Sequence, residues 1–189
     1  EADPVVREQV KKQMAERYRT LLGHFRHEVG HYYWDQLIRD DEQVLQSFRN
    51  VFGDESESYA DALQKHYDNG PKFNWQQSFI SKYASSHPWE DWAETWSHYL
   101  HLTDVLETAY NFGMQTDPKI TSTESLKMNA SFNPYKETSF NKIMDTGIPL
   151  LYALNSMNRS MGEDDPYPFI ISEPVKKKLE FIHNLLKDI

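Results

Sequence analysis

His27-Glu28-Val29-Gly30-His31 sets two imidazoles four residues apart, with a carboxylate beside the first. On an α-helix, residues four apart project from one face, so both rings can grip a single metal ion. Glu28 can take the proton of a water molecule activated there. Zinc supplies the Lewis acid that polarises a carbonyl, and the glutamate supplies the base that makes hydroxide near neutral pH. That pairing is the chemistry of hydrolysis. A second segment, His87-Pro88-Trp89-Glu90-Asp91-Trp92-Ala93-Glu94, offers a further ligand.

The third ligand has to come from such a distance. A residue eight positions along one helix is roughly 12 Å away, which removes Asp35 as a partner of His27. A third histidine in the metzincin pattern would need Gly at 34 and His at 37, where Trp34 and Leu37 stand. Two histidines with a distant glutamate, the gluzincin arrangement, fits better. Glu90 is assigned as that ligand, and Glu94, one turn on, as acceptor of the remaining ring N–H of His27 or His31. The spacing also permits these two roles to be exchanged. Asp91 points to a different face. All three acids equally suit the first turn of a helix, where the dipole favours negative charge. His98 and His101 follow on the Glu94 face and read as partly buried hydrogen-bonding residues, or as alternative ligands. His24 would rim the site, while His66 and His183 have no constellation around them.

The elements that must position these groups read as helices. Pro4 opens a long one through Val6, Val10, Met14, Leu21, Phe25 and Val29 to Leu37, weakened at Gly23 and Gly30. Shorter helices are expected from Asp41 to Phe52 and from about Glu57 to Asp68, closed by Gly53 and Gly70. Asn74 could cap a helix through Tyr83. Ser86 or His87 caps the next, with Pro88 in its first turn, running to about Phe112. Residues 115–138 are polar and read as a lid or binding loop. Helical pattern returns from Phe140 to Met157, broken or kinked by Gly147 and Pro149. Pro174 opens a final helix with Leu179, Ile182 and Leu186 inward. At most one short hairpin is expected, around Phe169 to Ile171.

The expected fold is therefore mainly α with little or no β-sheet: a single domain over 1–189. Residues 1–114 would carry the metal site, and 139–189 the helices completing the cleft. At 189 residues the chain can bury a real core. Twenty basic residues against 29 acidic ones give a net charge of -9, which argues against a nucleic-acid backbone or an anionic membrane as partner. No apolar run approaches a membrane span and no secretory leader is visible, so a cytoplasmic setting is expected, although the chain starts at Glu1. With no cysteine, any metal is held by His and carboxylate.

The run from Leu22 to Trp34 resembles the bacterial putative zinc-binding metallopeptidase family. So do Phe52-Gly53-Asp54, Tyr83 through Thr95, His98-Tyr99-Leu100-His101 and Tyr167-Pro168-Phe169. The resemblance implies a zincin-like helical peptidase acting on peptides or proteins, with His27, His31 and Glu90 as zinc ligands and Glu28 as base. Tyr83, seven residues before Glu90, is similar in placement to the oxyanion donor of lethal-factor-type gluzincins; Tyr167, His87 and Arg26 stand behind it. Two rival readings compete. Glu28-x-x-His31 is formally the E-x-x-H of di-iron bundles, but no second E-x-x-H follows Glu90, Asp91 or Glu94. The other rival is a metal-stapled module that binds peptides without cutting them.

Overall fold

The computed structural model describes residues 20–120 and 123–187. Among these the chain is mainly helical, with one two-stranded antiparallel sheet. The helical stretch expected from Pro4 through Val6, Val10 and Met14 lies outside the described residues.

Helix α1 (Leu21–Leu37) begins where the Thr20 hydroxyl accepts the Gly23 amide at 2.9 Å. That cap satisfies one of the donors a helix start leaves open, so the weak point expected at Gly23 is a helix start just before it. Helix α2 (Glu42–Phe52) is capped by the Asp41 carboxylate, which accepts from Gln43 and Val44. Helix α3 (Tyr59–Asn69) is capped by Ser58. The helix expected from Asn74 to Tyr83 does not form. Asn74 adopts a left-handed conformation (φ 56°), and only short 3-10 turns appear at Trp75–Gln77 and Tyr83–Ser85. Local hydroxyls explain this. Ser81 accepts from the Ala84 amide, while Ser85 and Ser86 donate to the Lys82 and Tyr83 carbonyls, offering the backbone an alternative to the helix ladder.

Helix α4 (Pro88–Asn111) follows directly. His87 caps it, its Nδ1 accepting the Trp89 amide at 3.1 Å, which leaves Nε2–H to donate to the Glu57 carbonyl at 3.1 Å. Strands β1 (Gln115–Thr116) and β2 (Met128–Asn129) pair with Gln115 opposite Asn129, inside the stretch expected to be loop. The hairpin expected at Phe169 to Ile171 is absent, because Pro168 and Pro174 bound that run too closely. Helix α5 (Phe140–Ser160) runs through Gly147 and Pro149 without a break. Pro149 deletes one ladder bond, but Ile143, Met144, Leu150 and Leu151 bury around it and outweigh that loss. Helix α6 (Glu173–Lys187) carries a buried stripe of Val175, Lys178, Leu179, Ile182 and His183; Leu186 is only half-buried.

The chain folds as two compact units. One comprises residues 20–99 with Phe169–Leu185. Its core joins Trp34, Ile38, Phe48, Phe52, Trp92, Trp96, Leu179 and Ile182. Each such side chain stabilises the fold by about 1.5–3 kcal/mol. The contact that matters most for function is α1 on α4. A Cβ at Gly30 would stand 3.1 Å from the Ala93 Cα and 3.2 Å from the Trp96 side chain, so glycine permits backbone-level approach. Trp92 Nε1 donates to the Gly30 carbonyl at 2.8 Å and Ser97 to the Gly23 carbonyl at 3.0 Å. Gly30 is a packing surface and not a break.

The other unit is Leu100–Pro168 with the chain's end. It buries Leu102, Leu106, Ala109, Met128, Phe140, Ile143 and Leu150. A Cβ at Gly147 would meet Leu102 at 2.5 Å. Asn155 clamps the Tyr167 backbone through both its amide atoms. No helix of the described residues is long and apolar enough to cross a membrane.

Candidate metal centre

Gly30 lies between His27 and His31 on α1, and Ala93 lies between Glu90 and Glu94 on α4. The close approach of Gly30 to Ala93 therefore carries both pairs toward one another. His27 Nε2 and His31 Nε2 are 3.1 Å apart. Glu90 Oε2 lies 3.0 Å from the first and 3.5 Å from the second. These are the only three such residues among those described whose ligating atoms gather as a metal-binding group.

The triangle can be tested against an ion. Ligand atoms at the ordinary zinc distances of about 2.0–2.1 Å in a tetrahedron stand about 3.3–3.4 Å from each other. The observed edges of 3.0, 3.1 and 3.5 Å bracket that spacing. Glu90 is 1% exposed, and its Oε2 faces the two imidazole nitrogens with no other partner among the described residues. A buried carboxylate oxygen facing two imidazole nitrogens needs a cation. Two nitrogens and one oxygen, with no sulfur, suit zinc.

The proton behaviour of the group agrees. Burial opposes a charge on His27, yet its hydrogen bonds to Glu90 and Glu94 outweigh it and lift the imidazole to about 10. Burial likewise opposes the Glu90 charge, but His27, His31 and Tyr59 hold that carboxyl well below the usual range. A proton fills the role a metal ion would take.

Supporting groups differ between the two histidines. His27 Nδ1–H donates to Glu94 Oε1 at 2.7 Å, which turns its Nε2 into the triangle. Glu94 Oε2 in turn accepts from Ser81 at 2.6 Å. Burial works against the Glu94 charge, but the His27 contact prevails and the carboxyl is held at about 2, with His98 and Ser81 helping. His31 has no such carboxylate. Its Nδ1 is buried without an acceptor among the described residues, and its ring lies against Trp89 at 3.9 Å.

The remaining candidates fall in different places. Glu28 is 59% exposed and sits 3.6 Å from His24, one turn earlier on α1. Tyr83 brings its ring to 5.9 Å from His27 and 6.1 Å from His66. Burial first, then the Glu90 charge, raises the Tyr83 phenol. Asp91 points away from the triangle and pairs with Lys178 at 2.7 Å. His98 packs on Phe169, His183 bonds Tyr99, and His87 is spent as the α4 cap. His101 and Tyr167 belong to the other unit.

Two neighbours of the centre had no sequence signal. Tyr59 donates to Glu90 Oε1 at 2.6 Å, and Ser81 holds Glu94. Neither lies in a motif, and only the fold brings them there.

The whole chain to residue 185 matches the model of the putative zinc-binding metallo-peptidase family. The chain belongs to that family. It shares 45% identity over its full length with a protein of Mycobacterium bovis and with two from strains of Mycobacterium tuberculosis, each described as an uncharacterized protein. The chain spans 53% of the length of each of these curated relatives. No solved structure matches it. The family is described as zinc-binding, and among the described residues one His, His, Glu group could hold the ion.

Proposed function

We propose that the chain is a gluzincin-type peptidase, in which His27, His31 and Glu90 hold zinc and Glu28 is the general base. The observation that supports this most strongly is the triangle of three ligating atoms, one of them on His27, the residue that precedes Glu28 in the chain. Zinc bound there would polarise a peptide carbonyl and make a water molecule acidic enough to ionise near neutral pH.

This chain's own residues do the rest. Glu94 and Ser81 fix the His27 ring, so its Nε2 is aimed into the triangle before anything binds. Glu28, open to solvent, takes a proton from the attacking water and then delivers it to the leaving amine nitrogen. Tyr83, kept protonated by burial and by the Glu90 charge, donates to the oxyanion that develops on the former carbonyl. Peptides or proteins are the proposed substrates.

The deciding experiment compares wild type with Glu28→Gln on a peptide library, with zinc content measured in both. Cleavage falls by about 10²–10⁴-fold in the variant while zinc stays bound. Equal cleavage by both, or none by zinc-loaded wild type, defeats the peptidase reading and leaves a peptide-binding module as the alternative.

A further inference from the structure

Glu90 has two oxygens, and the fold treats them differently. Oε2 faces His27 and His31. Oε1 accepts a hydrogen bond of 2.6 Å from the Tyr59 hydroxyl. Tyr59 arrives from the first turn of α3, 31 residues earlier in the chain. Its ring is fixed edge-on between His87 at 5.3 Å and Trp89 at 5.6 Å. Both of those residues sit at the start of α4, one as its cap. The hydroxyl is therefore held by the same local structure that holds Glu90.

We infer that Tyr59 is a positioning residue that locks Glu90 into offering one oxygen to the metal. A carboxylate free to rotate can chelate an ion through both oxygens, filling a coordination position that water or a substrate carbonyl needs. With Oε1 turned toward a hydroxyl donor, Oε2 is the oxygen held facing the metal. A phenol suits the task because it donates one directed hydrogen bond and carries no charge to compete with the ion. This inference rests on the metal-site reading but not on peptide cleavage.

Tyr59→Phe removes the hydroxyl and keeps the ring contacts to His87 and Trp89. Zinc affinity, measured by competition with a chromophoric chelator, falls by about 10–100-fold. The visible bands of the Co²⁺-loaded variant weaken, since a second carboxylate oxygen raises the coordination number and four-coordinate cobalt absorbs most strongly. Tyr67→Phe, on the exposed side of the same helix, changes neither. Circular dichroism of the metal-free proteins confirms that all fold alike, a control that a purely structural role for Tyr59 would fail. Wild-type affinity and unchanged cobalt bands in Tyr59→Phe overturn the role of Tyr59 alone. A wild type that takes up neither zinc nor cobalt overturns the metal site and this inference together.

Discussion

Helix α4 buries carboxylates on two sides of its first turns, and the two sides solve the same electrostatic problem in opposite ways. Asp91 faces Lys178, a permanent cation 2.7 Å away whose ammonium also donates to the Ser78 carbonyl. Glu90 and Glu94 face imidazoles and hydroxyls, none of them a fixed cation. The first side is complete as folded. The second holds only a titratable proton on His27, and that difference separates a structural buried acid from one prepared for an ion.

The largest effect comes from breaking the complete side. Lys178→Met leaves Asp91 buried and unpaired, at an expected cost of about 3–5 kcal/mol in urea unfolding. Asp91→Asn in the same background recovers most of it. The pH dependence has a definite sign. Burial pushes Asp91 from its ordinary 3.8 up to about 7, with Lys178 working against the rise. The unfolded chain therefore releases this proton first, and stability falls as pH rises from 3.8 toward 7. Without Lys178 the fall extends above 7. A variant whose stability is flat over that window would mean Asp91 is not the group left uncompensated.

The incomplete side responds instead to metal. Zinc at a hundred times its dissociation constant stabilises the fold by about 2.7 kcal/mol, seen as a rise in Tm that a chelator reverses. The increment should be nearly the same in wild type and in Lys178→Met, because the two sides share no hydrogen-bonding partner and interact only through the charge repulsion of Asp91 and Glu94. Unequal increments would show that the sides are coupled.

Glu94→Gln probes the support beneath His27. The amide keeps the shape but loses the charge that fixes the imidazole tautomer, so zinc affinity falls by about 10–100-fold, or about 1.4–2.7 kcal/mol. His31, with no carboxylate behind it, has no equivalent variant. If Glu94→Gln binds zinc as wild type does, the two histidines are equally supported and the asymmetry between them carries no function.

What could be seen in the chain beforehand follows the range of the interactions. His27 and His31 share a face by local helix geometry alone, and Glu90 and Glu94 share one for the same reason. Helix starts at Asp41 and Pro88 were legible because a cap is a contact over two or three residues. Tyr59 was not, since its value depends on α3 reaching the start of α4. The stretch from Asn74 to Tyr83 misled because it matches a helix in composition, while the serines near 81–86 bond their own backbone. Gly30 was read through propensity, as a weak point, when its use is the approach of a second helix 62 residues away. Pro149 was read as a breaker, and buried neighbours carry the helix through it.

That approach yields the smallest and most specific test. Gly30→Ala gains about 1 kcal/mol of helix propensity and costs about 1–3 kcal/mol in overpacking, so the net loss of stability is about 1 kcal/mol. The atom met at 3.1 Å is the Ala93 backbone, which cannot swing aside as a side-chain tip would. The helices must part by a few tenths of an ångström, and that widens the triangle between His27, His31 and Glu90. Zinc affinity should then fall by several-fold, less than the tenfold that about 1.4 kcal/mol represents, while the Asp91–Lys178 side keeps its pH profile. Chelator competition and urea titration on one preparation read both. Unchanged affinity in a destabilised variant would show that the spacing of the three ligating atoms is set by something other than this crossing.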